Sequence, residues 1–271
     1  MMTHSVRVSG HFGEWIQGRL GPDGPVVLIT MPCCKTGVNA ALLRASSIAH
    51  PEPHLTADHY CSHVLHRFVS ALNLHARGHL QVVPDVAAGL GTGVSTAGLM
   101  GLARLGGWDG APQQLAHACI QAEGASDPLM FPEPEQLLWG SRDGSVHAHL
   151  PPLPRYEIIG GFWGGPRPTD ASDDDFPDIS DIVARWRDAR DLADFAGLAS
   201  ESARRCLARR GPAGDPTAAL ADQLGALGWS MAHTGAARGL VFAPNSAPPY
   251  AQDALRKAGY TGVMHFEGGH E

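Results

Sequence analysis

Residues 87–98 read A-A-G-L-G-T-G-V-S-T-A-G. Glycines stand at 89, 91 and 93, Ser95 and Thr96 follow, and a stretch of helical character runs on to Leu105. Glycines let a backbone approach an anion closely, and the first N–H groups of a helix form a positive dipole end. The segment is therefore one of two things. It is an anion cradle made from Gly89, Leu90, Gly91, Thr92, Gly93, Ser95 and Thr96, or a glycine-rich connection with Ser95 as a plain N-cap. A Walker loop, G-x-x-x-x-G-K-[ST], does not fit, because no lysine follows. A Rossmann fingerprint does not fit either. Position 94 is valine where that pattern needs glycine, and the helix leads into a second helix rather than a strand.

On the N-terminal side, H-L-Q-V-V-P (79–84) reads as a short strand. Before it, Tyr60, Val64, Leu65, Phe68 and Leu72 share one face of a helix over 58–74. Residues 51–56 form a proline-broken loop, and T-G-V-N-A-A-L-L-R (36–44) and V-V-L-I-T-M (26–31) are extended. A G-P-D-G turn (21–24) separates them from a strand at 5–10, which leads into G-H-F-G-E-W-I-Q-G (10–18). On the C-terminal side, a helix from Pro112 to Gln121 precedes an irregular segment at 122–132. Strands follow at 145–150 and 156–161, then a connection at 166–178 and two helices over 179–209 broken near Gly197. Helices at 217–227 and 249–258, strands around 229–243 and a last strand at 260–267 complete the chain. Strands dominate early and helices late, an α+β pattern with a lobe boundary at 151–178.

The chain has 271 residues, 44% of them hydrophobic, enough to bury a full core. With 17% charged residues and a net charge of −7, it lacks the basic face that nucleic acid or an anionic membrane would attract. No apolar run approaches 18 residues and no signal core opens the chain, so a cytoplasmic protein is expected. Five cysteines without a C-x-x-C pair suit free thiols in a reducing compartment.

Three further segments carry groups that could do chemistry. G-H-F-G-E-W-I-Q-G sets Glu14 and Gln17 among glycines, either to hold a small polar ligand or as exposed polar residues of a hairpin turn. E-G-A-S-D-P (123–128) sets Glu123 and Asp127 in a turn, where they orient Mg²⁺ and a hydroxyl proton or sit solvated in an Asx-type turn. M-A-H-T-G-A-A-R-G (231–239) places His233 and Thr234 in a turn that closes over a ligand or tips a hairpin. His59, His63 and His66 are spaced like metal ligands, but they fall opposite the apolar face of their helix and should face water.

Taken in order, these segments resemble the GHMP small-molecule kinases, and among them the L-threonine kinases linked to cobalamin side-chain assembly and propanediol utilisation. A C-G-E-L-I-Q-G-type motif is matched by F-G-E-W-I-Q-G (12–18), and a G-K-G-M-A-S-S-T-A-D-type loop by G-L-G-T-G-V-S-T-A-G (89–98). An E-P-T-D-type segment is matched by E-G-A-S-D (123–127), and an A-H-S-G-T-type turn by A-H-T-G-A (232–236). The sequence departs from the pattern at Val94, Gly98 and Gly124.

The resemblance implies a two-lobed α+β fold. Its N-terminal lobe over 1–155 would be like ribosomal protein S5 domain 2, and its C-terminal lobe over 156–271 ferredoxin-like. It also implies ATP and Mg²⁺ as cofactors. Gly89 to Gly93, Ser95 and Thr96 would hold the phosphates, and Ser95 and Glu123 would contact the metal. Glu14, Gln17, His233 and Thr234 would lie around the acceptor, with Asp127 taking or orienting its hydroxyl proton and Ser95 assisting catalysis. The partner would be a small-molecule substrate, L-threonine or a similar compound, and the protein a monomer or homodimer. A kinase for another hydroxylated metabolite such as homoserine, and a non-catalytic nucleotide-binding regulator, are the alternatives.

Overall fold

The computed structural model describes residues 4–43, 55–233 and 235–270. Arg44, the 51–54 part of the expected proline-broken loop, and Thr234 lie outside the described residues. From Ser5 the chain runs extended to Arg19 (β1), turns at G-P-D-G and returns as β2, Val26–Leu43. The two expected extended segments at 26–31 and 36–44 thus belong to one strand. β1 and β2 pair antiparallel from Ser5 opposite Ala41 to Arg19 opposite Val26, with register shifts at Ser9/Gly10, His11/Glu14 and Glu14/Ile16. Such irregularities bend a strand and re-aim its side chains. The G-H-F-G-E-W-I-Q-G segment is therefore the bulged middle of a buried strand, not the tip of a hairpin.

β3 (Leu55–Ala57), α1 (Ser62–Ala71), β4 (Gly78–Pro84), α2 (Val94–Leu105) and α3 (Pro112–Glu123) follow in order. β5 (Leu137–Gly140), β6 (Val146–His149) and β7 (Tyr156–Phe162) lead to α4 (Ser180–Asp188), α5 (Leu192–Arg210) and α6 (Thr217–Leu224). β8 (Gly228–Met231), β9 (Ala237–Phe242), α7 (Ala251–Lys257) and β10 (Thr261–Gly268) end the chain. The helix break expected near Gly197 falls instead between α4 and α5. There Asp191 accepts from the N–H of Asp194 at 2.9 Å, and Asp194 accepts from the N–H of Arg190 at 3.0 Å. These two bonds start α5 firmly, and Gly197 is carried within it.

The sheet runs β10-β7-β9-β8-β1-β2-β4-β3, with β5 and β6 added beside β2. The register pair joining β1 to β8 is Glu14 opposite Met231. Strands from the two halves of the chain therefore meet at Glu14, and the expected lobes 1–155 and 156–271 share one sheet. On one side of that joint, α1, α2 and α3 bury Leu65, Phe68, Leu99, Met100, Leu115 and Cys119 with Val8, Val38 and Leu80. Helix α2 is buried on nearly every face, and its small residues let it lie flat on the sheet. On the other side, Trp15, Trp186 and Phe195 form edge-on ring contacts in a core shared with Phe12, Ile16 and Ile158. His63 and His66 are exposed, as their phase on α1 requires, and His59, which precedes α1 rather than lying on it, is exposed as well. Among the described residues no helix is long and apolar enough to cross a membrane.

Candidate active site

A cavity of about 330 Å³ opens where the glycine loop, the bulge of β1 and the turn after α3 converge. Its wall contains Gly89, Gly91, Thr92, Gly93, Ser95, Thr96, Glu14, Glu123, Asp127 and His233, so most of the sequence-derived candidates come together. Gln17 and Leu90 do not reach it. The Gln17 amide donates to Met231 O at 2.9 Å, and its backbone is held by Ser202. Leu90 faces the core, while its carbonyl accepts from Ala236 N at 3.2 Å and Ala237 N at 3.0 Å.

The loop owes its shape to clamps on both sides. From β1, His11 N donates to Thr92 O at 3.2 Å and Gly13 N donates to Gly91 O at 3.0 Å. Gly93 caps α2 at φ +68°, and a Cβ there would lie 2.6 Å from His11 Cδ2. On the other side, Gly235 (φ +105°) presses on the loop so closely that a Cβ would stand 2.6 Å from Leu90 C. The first N–H groups of α2, at Val94, Ser95 and Thr96, have no acceptor within their own helix. The loop therefore presents its donors and the helix dipole to the cavity, which favours the anion-cradle reading over a plain connection. Ser95 lies just inside the helix and is not its N-cap.

Ser95 Oγ donates to Glu123 Oε1 at the end of α3. Burial raises the Glu123 carboxyl above its usual range, although Ser95 works against the shift. A hydroxyl beside a carboxylate is a hard-oxygen pair of the kind Mg²⁺ accepts, so these residues fit the expected metal. The Tyr60 hydroxyl donates to Ser95 O at 2.6 Å, and a Cβ on Gly98 would lie 2.1 Å from that hydroxyl. The departure at Gly98 therefore makes room for Tyr60. Val94 is buried in the α2 core, a place for an apolar residue rather than a serine.

Asp127 is gripped by Thr96, whose hydroxyl accepts from Asp127 N at 3.3 Å and donates to Oδ2 at 3.4 Å. His11 Nε2 lies 3.4 Å from the same oxygen. Burial alone would raise Asp127, but the charge and hydrogen bond of His11 hold it below the usual carboxylate range. Burial alone would likewise lower His11, and Asp127 with Glu14 instead raises it to about 9. The ring is thus a cation at neutral pH. Its Nδ1 donates to Gly13 O at 3.1 Å and sits 3.8 Å from Glu14 Oε1. The donor atoms of His11, Glu14 and Asp127 lie within 4.8 Å of one another, but a protonated imidazole offers no lone pair to a metal.

Glu14 is raised to about 7 by burial, with His11 opposing the shift, and accepts from His233 N. The His233 ring stacks on Phe176 with centroids 4.1 Å apart, and the Arg210 guanidinium sits 3.9 Å from the centroid of the Phe176 ring. Burial, then Arg142 and Arg210, push His233 down to about 3, so it is neutral. His11 and Arg142 are wall residues that the motif reading passed over. His11 was visible between Gly10 and Phe12 in a segment already singled out. Arg142 follows β5, a short strand buried throughout whose lack of alternation hid it.

The sequence matches no protein-family profile and no curated protein. Solved structures do match. The mevalonate kinase of Methanococcus jannaschii is 9% identical, with 98% of this chain and 97% of that one covered at a TM-score of 0.64. The phosphomevalonate kinase of Streptococcus pneumoniae is also 9% identical, with both chains covered completely at a TM-score of 0.62. A homoserine kinase from Cytophaga hutchinsonii is 14% identical, with 100% and 96% covered at a TM-score of 0.50. The α+β fold is thus the one these small-molecule kinases share.

Proposed function

We propose that the protein is an ATP-dependent kinase that phosphorylates the hydroxyl of a small metabolite. L-threonine is the acceptor the motif resemblance favours, and O-phospho-L-threonine the product. The observation that carries this reading is the position of Asp127, fixed between His11 and Thr96 on the wall of a cavity whose other side is the glycine loop.

Phosphoryl transfer asks for positioning and charge neutralisation more than covalent chemistry, so backbone N–H groups can serve where a lysine is lacking. Residues 89–96 bind the triphosphate through those groups. Ser95 and Glu123 would hold Mg²⁺, which when bound would neutralise charge on the phosphate oxygens. Asp127 orients the acceptor hydroxyl and takes its proton on the carboxylate. His11 keeps that carboxylate ionised, and the neutral His233 closes the wall beside Glu14. A second acceptor, homoserine, is supported by the fold shared with a homoserine kinase.

ADP release from Mg²⁺-ATP, measured across L-threonine, L-homoserine and simple alcohols, tests the proposal. Release that depends on threonine supports the favoured acceptor, and release with homoserine alone supports the second. Nucleotide binding without release for any acceptor would leave a regulator on the same scaffold.

A further inference from the structure

The segment M-A-H-T-G-A-A-R-G contains Arg238, a group to which the reaction above gives no part. Its side chain leaves β9 for the interior and is 2% exposed. There Nε donates at 2.8 Å to Oδ2 of Asp215, a fully buried carboxylate from the loop before α6. The other oxygen of Asp215 accepts from Thr217 N at 2.9 Å and from the Thr217 hydroxyl, which meets the Tyr260 hydroxyl at 2.6 Å. Both carboxylate oxygens are thus filled, and the carboxylate fixes the guanidinium in turn.

The guanidinium also reaches the turn between β8 and β9. Nη1 donates to Ala237 O at 2.9 Å and to Gly235 O at 3.2 Å. The same turn lies on the glycine loop. Ala236 N and Ala237 N both donate to Leu90 O, and Gly235 packs on Gly89, Leu90 and Gly91 with no room for a Cβ. A continuous chain of contacts therefore runs from the start of α6 through Asp215, Arg238 and Gly235 to the main chain at 89–91. Apolar residues of similar volume often stabilise a fold as well as a buried ion pair does. They cannot hold a carbonyl in place. Groups that bind an anion must be held to within about 0.5 Å, and supporting hydrogen bonds do this.

Building on the kinase reading above, we infer that Arg238, held by Asp215, is a positioning residue for the phosphate loop. It anchors the Gly235 turn, and that turn keeps the N–H groups of residues 89–96 aimed at the ATP phosphates. Arg238 does not line the cavity and acts only through the turn.

The test is titration calorimetry of Mg²⁺-ATP and of Mg²⁺-tripolyphosphate, well below the melting temperature, with melting scans alongside. The proteins are wild type, R238M, R238K, G235A and the double variants R238M/G235A and R238K/G235A. R238M should bind both ligands about tenfold more weakly, the scale of one lost buried hydrogen bond. R238K should fall between R238M and wild type, because a point donor cannot hold two carbonyls and a carboxylate together. Both substitutions act on one turn, so each double variant should bind about as weakly as the weaker of its single variants, not by the product of the two penalties. A lower melting temperature with unchanged affinities in R238M would make the ion pair a structural prop and overturn the inference. Multiplied penalties in the double variants would overturn it too, since Arg238 would then act by another route. In both cases wild type still binds ATP, and the kinase reading stands. If R238M does not fold, R238K and its double variant decide on the same criteria. Wild type that binds neither ligand would remove the phosphate loop itself, and the kinase reading and this inference would fall together.

Discussion

His11 Nε2 stands 3.4 Å from Asp127 Oδ2 across the seam between β1 and the turn after α3. The imidazole is buried and the carboxylate is a quarter exposed, at 3% and 24%. The pair therefore has a dry side and a ligand side. Gly93 makes it possible, since any side chain there would occupy the space of the ring. The Asp127 carboxylate on the cavity wall is thus held ionised by a fixed internal cation rather than by solvent.

If His11 holds Asp127 in its working state, His11→Gln should damage turnover while leaving the nucleotide in place. The glutamine keeps a donor and removes the charge, so the Asp127 carboxyl should titrate at a higher pH than in wild type. The acid limb of the kcat profile should shift upward, and kcat at pH 7 should fall about tenfold or more, each tenfold being about 1.4 kcal/mol of barrier. In wild type an alkaline limb is expected as His11 loses its proton near pH 9. Unmoved limbs in the variant would show that His11 is a structural residue only.

Ser95 and Glu123 make a separate prediction, because their hydrogen bond joins the start of α2 to the end of α3 at the loop rim. Ser95→Ala should lower ADP release at least about tenfold. Glu123→Gln should raise the Mg²⁺ concentration needed for half-maximal rate and leave the acceptor KM unchanged. A Mg²⁺ titration at fixed ATP reads both effects. An unaltered requirement in Glu123→Gln places the metal elsewhere.

The glycine loop, Glu123 and Asp127 could be read from the sequence because each lies in a short local pattern. The same holds for most of the strands and helices, where side-chain periodicity reports the buried face directly, but not for the short strands β3, which overlaps the expected loop at 51–56, and β5. Gln17 shows where such reading stops. In G-E-W-I-Q-G it looks like a partner for Glu14, but the register shifts that aim Glu14 at the cavity leave Gln17 against Met231. Bulges depend on strand pairing, and no local pattern announces them. Arg142 was hidden for a related reason. Its place in the wall is set by the distant 170–173 segment, whose Asp170 and Asp173 main-chain oxygens accept from its Nη2, and no local pattern around residue 142 announces that. The break between α4 and α5 has a different cause: the Asp191 side chain caps the start of α5, and a single glycine is tolerated in its interior.

Gly235 tests the clamp on the loop. An alanine there would need an unfavourable backbone at φ +105° and would meet Leu90 C at 2.6 Å. Strain of this kind costs about 1–3 kcal/mol. Gly235→Ala should therefore lower the melting temperature by several degrees and weaken ATP binding, because the loop must shift to admit the methyl group. Melting scans with and without ATP separate the two effects. A variant that melts lower but keeps the full ATP-dependent rise in Tm would argue against the clamp.

Glu14 gives the protein a dependence on pH that a conservative change should remove. Its folded pKa is raised to about 7 by burial, above its ordinary value of 4.5. An acid shifted upward contributes stability that is complete below its unfolded pKa and is lost as the pH rises through the folded value. Between pH 5 and pH 8, then, ionising Glu14 should cost wild type up to about 3 kcal/mol, at about 1.4 kcal/mol per pKa unit. Glutamine keeps a carbonyl oxygen for the His233 N–H and cannot ionise. Glu14→Gln should match or fall slightly below wild type at pH 5 and exceed it at pH 8. His11, raised from 6.5 to about 9, loses its own contribution from about pH 6.5 upward in both proteins, so the readout is the difference between the two at each pH rather than either slope. Urea unfolding of both proteins at the two pH values supplies the numbers. Parallel stability curves would mean that Glu14 is already ionised in the fold, held so by His11 against the cost of burial.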